Sequence, residues 1–133
     1  MAPLGWLHRH SDRIYALFRI VTAFLYACHG AQKLFGVLGG RMVWGGPALP
    51  IVAGFIEFGA GTLILLGWQA SLAAFLASGE MAVAYFKVHL PQGFFPILNH
   101  GEDAAFYCFA MLFIASRGSG VWSIDSLLSR GRG

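Results

Sequence analysis

The sequence predicts an all-α integral membrane protein, a bundle of four transmembrane helices, and two observations lead to this fold class. Hydrophobic residues make up 57% of the 133 residues and charged residues only 11%. A soluble domain has about 45–50% apolar and about 25% charged residues, so this chain lacks the polar surface that a soluble fold requires. Its apolar residues also form four stretches of nearly bilayer-spanning length, separated by glycine and proline. The chain length favours a single domain over residues 1–133.

The four predicted spans cover roughly residues 14–35, 49–68, 70–90 and 102–115. A transmembrane helix needs about 20 residues, so the fourth span is short, and it could begin as early as Asn99. Gly67-Trp68-Gln69 predicts a tight turn between the second and third spans, and Pro91 and Pro96 interrupt the chain before the fourth. Since no cleavable leader pattern precedes the first span, we expect that span to act as an uncleaved signal-anchor.

Basic residues are unevenly distributed between the two predicted sides of the bundle. Four spans place both termini on one side, and the arginines of that side are Arg9, Arg13, Arg117, Arg130 and Arg132. The other side has Arg41, with Lys33 and Lys87 near helix ends. Because cytoplasmic segments are enriched in Lys and Arg, we expect both termini in the cytoplasm. The basic residues form no dense run, which argues against nucleic-acid binding.

Small residues recur at helical spacing on one face of each predicted span, as expected where helices approach closely in lipid. Each stripe combines small residues with a few larger or charged ones at the same spacing. The stripes are Ala16, Arg19, Ala23, Tyr26, Gly30 and Lys33; Gly54, Glu57 and Gly61; Ala73, Ala77, Glu80 and Ala84; and Ala104, Cys108, Met111 and Ala115. Arg19, Glu57 and Glu80 are therefore predicted to face the bundle interior. His29 lies at the edge of the same face as Gly30 and Lys33.

The rise of a helix places the polar residues of these spans at different depths. Glu57 and Glu80 lie on the order of 12–15 Å from the outer ends of their spans, and His29 about 9 Å. The residues expected near the outer surface are Lys33, His89, Asn99, His100 and Glu102. The pattern predicts a polar funnel that opens to the outer side, the periplasm in a bacterium, with two carboxylates at its floor.

Two main interpretations of these buried charges remain open from the sequence, and exposure to a water-filled cavity without a specific ligand is a less favoured third. In the first, Arg19, Lys33 and the two glutamates pair with one another and lock the bundle. In the second, the charges line a pocket that binds a ligand and exchanges protons with it. An ionisable residue inside a membrane costs about 2.5–3.5 kcal/mol, so pairing or function has to offset that cost.

Short patterns follow one another through most of the chain in a recognisable order. They are Arg19; Gly30, Lys33 and Leu34; Pro50, Glu57, Gly61 and the stretch 63–67; Glu80-Met81-Ala82 and His89; Asn99-x-Gly-Glu102; and the tail Gly118-Ser-Gly120-x-x-Ser123-x-Asp125. Together these patterns resemble the DoxX family. The resemblance implies a small four-helix protein of the bacterial inner membrane.

The resemblance also implies a function linked to quinones, because relatives include the small subunit of a thiosulfate:quinone oxidoreductase and proteins associated with quinone stress. The hypothesis is a subunit or enzyme of a quinone-linked redox system that binds a quinone in the polar pocket. Glu57 and Glu80 are the candidate catalytic, proton-carrying residues. The candidate ligand-binding residues are Arg19, Tyr26, His29, Lys33, His89, Asn99 and Glu102.

The alternative is a non-enzymatic membrane scaffold or assembly factor for a redox or stress-response complex. The chain has no flavin or nicotinamide fingerprint, so electrons would have to come from a redox partner protein or a bound cofactor. Haem bound by His29 and His89 is a less favoured cofactor, and no metal site is predicted. Cys28 and Cys108 are expected on faces that do not meet. The glycine stripes are compatible with a homo-oligomer.

Overall fold

The computed structural model of the protein describes residues 3–131, and Arg132 of the predicted terminal side lies outside that range. Within it, the chain forms helices and turns and no strand. The helices are α1 (Gly5–Arg9), α2 (Ser11–Phe35), α3 (Ala48–Leu66), α4 (Ala70–Ala84), α5 (Pro96–Asn99), α6 (Glu102–Arg117) and α7 (Ile124–Arg130). The prediction of an all-α chain is thus confirmed for the described residues.

The four longer helices pack as an up-and-down bundle, in which α2 contacts α3, α3 contacts α4 and α4 contacts α6. Helix α2, helix α3 and the helical stretch Ala70–Gln92 are each long and apolar enough to cross a membrane. Helix α6 has 16 residues, a length of about 24 Å. We call the end of the bundle where α2 finishes the long-loop end. The opposite end, with the 67–69 turn and both terminal segments, is the terminal end.

The helices match the predicted spans in their centres and differ at their ends. Helix α2 begins at Ser11 and α6 continues to Arg117, so both are longer than predicted. Helix α3 stops at Leu66 because Gly67 takes up a left-handed conformation, with φ of 69°, which ends a helix. The predicted tight turn follows from Gly67 to Gln69.

The third predicted span is not a continuous α-helix. After Ala84 the chain widens into a π-helical turn over Tyr85–His89 and then tightens into a 3₁₀ turn over Leu90–Gln92. Pro91 has no N–H to donate to a carbonyl of the preceding turn, so the α-helical pattern cannot pass through it. Such π-helical turns are rare and frequently occur at functional sites.

The small-residue stripes face the bundle interior, as the sequence predicted. In α2 the stripe from Ala16 to Gly30 is buried, and in α3 Gly54, Glu57 and Gly61 are buried. The other stripe members are buried or half-buried: Lys33, Ala73, Ala77, Glu80, Ala84, Ala104, Cys108, Met111 and Ala115. Both cysteines are unpaired. The faces that the helices turn outward are apolar, which is the reverse of a soluble bundle.

Helices α2 and α3 approach each other closely at Gly30, so we expect Gly30→Ala to destabilise the bundle. A Cβ atom at this position would collide with the backbone nitrogen of Phe58 and lie 2.8 Å from its Cα atom. Backbone cannot move aside as a flexible side chain can, and overpacking costs about 1–3 kcal/mol. The measurement is the apparent melting temperature in mild detergent. Gly59→Ala is the matched control, because a Cβ there meets nothing within 4 Å. Equal melting temperatures for the two variants would contradict this packing.

Candidate functional site

An ion pair joins the last turn of α2 to the middle of α3. The Lys33 ammonium donates to Oε2 of Glu57 across 2.5 Å, and the Glu57 side chain is only 4% exposed. The Lys33 side chain is 31% exposed, so the ion pair is accessible from the Lys33 side, although the Glu57 carboxylate is buried. An ammonium has three donors, and the bond to Glu57 therefore leaves others for a second partner.

The second glutamate extends this ion pair into a polar cluster. The Tyr26 hydroxyl donates to Oε2 of Glu80 over 3.4 Å, and Glu57 and Lys33 are charged neighbours of Glu80. Lys33, Glu57, Glu80 and Tyr26 thus form a group of polar side chains from three helices, which we call the carboxyl cluster.

A cleft of about 890 Å³ runs between α3 and α4 beside this cluster. Its apolar walls are Leu49, Pro50, Val52, Ala53 and Ile56 from α3, and Leu72, Phe75, Leu76, Gly79, Val83, Ala84 and Val88 from the α4 side. Lys33, Glu80 and His89 are its charged or ionisable lining residues. Several wall residues, such as Leu72 and Phe75, are exposed on the outside of the bundle. The predicted polar funnel is therefore, in the structure, a mainly apolar cleft that is open along the side of the bundle.

His89 lies at the long-loop end of the cleft and is held by a tightly bonded loop. Its Nδ1 atom lies 3.1 Å from the backbone carbonyl oxygen of Asn99. The Asn99 side chain is fully buried, donates to the Gly93 carbonyl over 2.8 Å and accepts from the Gly101 N–H over 2.8 Å. Asn99 also donates to the Tyr85 hydroxyl. The predicted ligand residue Asn99 thus positions the loop and His89.

Arg19 lies at the terminal end, away from the carboxyl cluster. It is fully buried and donates to four backbone carbonyls: those of Ile64, Ser119, Val121 and Trp122. Ile64 belongs to the last turn of α3, whose carbonyls have no partner inside the helix. The other three carbonyls follow α6. Arg19 therefore fastens the tail to the end of α3, and pairing with Glu57 or Glu80 is not its role in this structure.

The two remaining predicted ligand residues also lie outside the cleft. The His29 ring packs edge-on against Tyr107 of α6, with ring centroids 5.8 Å apart. Glu102 is exposed in the first turn of α6. His29 thus packs against α6, whereas His89 lines the cleft between α3 and α4.

Sequence reasoning overlooked two tyrosines of this region. Tyr107 packs against both Tyr26 and His29, and Tyr85 donates to the Phe94 carbonyl in the loop before α5. Tyr107 follows Phe106 in an aromatic-rich helix, where the sequence does not distinguish a half-buried tyrosine from a membrane-facing ring. Asp125, a member of the predicted tail pattern, accepts from the backbone N–H of Gln69, a contact that the sequence did not predict.

The comparisons with known proteins agree with the patterns of the sequence. Residues 14–90 match the sequence model of the family described as DoxX, a segment that includes Lys33, Glu57, Glu80 and His89. A curated protein of Haemophilus influenzae, described as uncharacterized, is 37% identical over 127 residues, which covers 90% of this chain and 94% of the relative. No solved structure matches the chain. From the family match and the long shared alignment, the chain is a member of the DoxX family of membrane proteins.

Proposed function

We propose that the protein binds a quinone in the cleft between α3 and α4, as a small subunit or enzyme of a quinone-linked redox system in the bacterial inner membrane. The observation that supports this function is the combination of an apolar cleft of about 890 Å³ with three ionisable residues on its lining. Ligand pockets are commonly 300–1,000 Å³ and mainly apolar, with a few polar groups that fix orientation. A polar ring with an apolar tail fits such a lining.

The carboxyl cluster offers the chemistry that a quinone head group needs. The Lys33 ammonium retains donors beyond its bond to Glu57 and can bind a carbonyl oxygen of the ring. Glu80 lines the cleft and is bonded to Tyr26, so it can exchange a proton with the ligand and recover it through the cluster. The head group then lies between Glu80 and His89, and the tail follows the wall towards Phe75. Electrons come from a redox partner protein.

In the proposed arrangement all four long helices cross the membrane and both termini are cytoplasmic. Arg9, Arg13, Arg117 and Arg130 all belong to the terminal end of the bundle, in agreement with the enrichment of basic residues on the cytoplasmic side. Helix α6, about 24 Å long, is shorter than a hydrocarbon core of about 30 Å. A short span is accommodated by local thinning of the bilayer at modest cost.

Filling the cleft tests this function, and Gly79→Leu is the suitable change. Gly79 lines the cleft, and a Cβ atom there meets nothing within 4 Å, so the larger side chain occupies the cleft without disturbing the helices. We expect the affinity for decylubiquinone, titrated into the protein in lipid nanodiscs, to fall about tenfold or more, a loss of about 1.4 kcal/mol.

Gly59→Leu is the matched control for this experiment. Gly59 is exposed on α3, has the same free space around its Cα atom and does not line the cleft. We expect its affinity to stay within about twofold of the parent protein. Full binding by Gly79→Leu would place the ligand elsewhere, and no binding by the parent protein would refute the function.

A scaffold or assembly factor is the second candidate function. It is favoured by the fact that, in residues 3–131, every buried side-chain nitrogen or oxygen has a hydrogen-bond partner. Charges that are fully satisfied inside the fold can serve the bundle alone. Under this function Gly79→Leu alters no ligand affinity, and the protein instead co-purifies with a partner whose recovery depends on the bundle surface.

A further inference from the structure

The orientation of the His89 ring in the cleft follows from its hydrogen bond to Asn99. The partner of Nδ1 is a backbone carbonyl oxygen, which only accepts, so Nδ1 must be the donor in this 3.1 Å bond. In a neutral imidazole with the proton on Nδ1, the other nitrogen, Nε2, has a lone pair and no proton. The bond therefore fixes the tautomer of the ring.

The Nε2 atom is available to a ligand. His89 lines the cleft, and its Nε2 atom makes no hydrogen bond in the structure. In residues 3–131 no buried side-chain nitrogen lacks a partner, so Nε2 must be accessible, and a ligand in the cleft that His89 lines can reach it. In its neutral form His89 thus presents a hydrogen-bond acceptor at this end of the cleft.

The loop that holds the ring leaves it little freedom to turn. The buried Asn99 side chain fixes the loop through Gly93 and Gly101. A Cβ atom at Gly101 would lie 2.8 Å from Cβ of His89 and 2.8 Å from the Tyr85 ring, which shows how closely these residues pack. The Nδ1 bond to the Asn99 carbonyl is therefore part of a closely packed loop.

We infer that His89 determines which form of the ligand the cleft prefers, and that it selects a hydroxyl-bearing ring, the quinol, over the carbonyl form. A quinol O–H can donate to Nε2, whereas a quinone oxygen placed there meets the lone pair of an acceptor with no proton between them. This inference rests on the proposed function and adds the redox form of the ligand to it. One neutral hydrogen bond corresponds to a preference of about fivefold to tenfold.

The experiment compares the affinities of decylubiquinol and decylubiquinone in nanodiscs under anaerobic conditions. We expect the parent protein to bind the quinol about fivefold to tenfold more tightly. His89→Asn keeps a donor near the position of Nδ1 for the Asn99 carbonyl but has no acceptor at the ε position, so the preference should disappear. His89→Gln offers an acceptor at the ε position and should retain part of the preference. His100→Asn is the control, since His100 is exposed and does not line the cleft.

The tautomer itself is measured by ¹⁵N NMR of histidine-labelled protein, with the His89 signals assigned from the His89→Gln variant. We expect a proton on Nδ1 and none on Nε2. Equal affinities for the two redox forms, or a proton on Nε2, would overturn the role of His89 while the quinone-binding function stands. Binding of neither form would refute the proposed function and the role of His89 together.

Discussion

Replacing Arg19 by methionine is expected to destabilise the protein by about 3–5 kcal/mol, because several hydrogen bonds from a charged group are each worth about 1.5–3 kcal/mol. The guanidinium joins α2 to the last turn of α3 and to the segment after α6. Its loss leaves the tail carbonyls without their donor, and the Ile64 carbonyl keeps only the bond from the Gly67 N–H. The measurement is the free energy of unfolding in mixed micelles of increasing denaturing detergent, followed by tryptophan fluorescence.

Two further variants make the Arg19 result specific. Arg19→Lys should recover only part of the lost stability, because a compact ammonium cannot reproduce the fork of five donors that reaches four carbonyls. Arg13→Met removes an exposed arginine of the same helix and should change stability by less than about 0.5 kcal/mol. Equal stability of Arg19→Met and Arg13→Met would show that the tail is not held by this residue.

The surroundings of Arg19 explain why the tail depends on it. Gly67 cannot accept a side chain, since a Cβ atom there would collide with Ser123 and come within 3.3 Å of the Arg19 guanidinium carbon. Asp125 binds the Gln69 N–H over 3.0 Å, and its own N–H donates to the Gly67 carbonyl over 3.0 Å. The tail therefore covers the turn between α3 and α4 and closes the terminal end.

The helices were predictable because their signals are local. Three signals lie within the sequence of a single helix: a stretch of apolar residues, a stripe of small residues and a glycine after the last turn. Helix α3, with its buried Gly54, Glu57 and Gly61, has all three signals. The end of α4 was not predictable in the same way. A π-helical turn at Tyr85–His89 has no sequence signature of its own, and the loop bonds of Asn99 that accompany it are tertiary.

The grouping of the polar residues was predictable in part. Lys33, Glu57 and Glu80 were placed together from their helical faces, and the structure brings them together. Arg19 also lies on the interior face of its helix, but it donates to backbone carbonyls and not to the glutamates, because the segment after α6 folds back over it. The shape of the cleft depends on the separation of α3 and α4. That separation is a tertiary property, which the sequence pattern of either helix alone does not predict.

The ion pair between Lys33 and Glu57 can be tested with a double-mutant cycle, and ligand binding by its double variant then separates the two main interpretations of the buried charges. Lys33→Met leaves the nearly buried Glu57 carboxylate without its partner, and we expect a loss of about 3 kcal/mol. This is the low end for a broken buried pair, because Lys33 is partly exposed. Adding Glu57→Gln removes the orphaned charge, so the double variant should return to within about 1 kcal/mol of the parent protein.

A surface pair in the same chain provides the control for this cycle. Arg117 and Asp12 lie 3.3 Å apart with side chains 43% and 75% exposed, so their coupling energy should be below about 1 kcal/mol. Equal coupling in the two cycles would contradict a buried ion pair at Lys33 and Glu57.

Ligand binding by the double variant then decides between packing and function, because its stability is restored while its charges are gone. If the charges serve the bundle alone, its affinity for decylubiquinone equals that of the parent protein. If Lys33 binds the head group, the affinity falls although the fold is intact, and we expect a loss of about tenfold, the contribution of one hydrogen bond from a charged donor. Stability alone cannot make this distinction. Removing one partner of the ion pair lowers the stability of the fold whether or not the pair also binds a ligand.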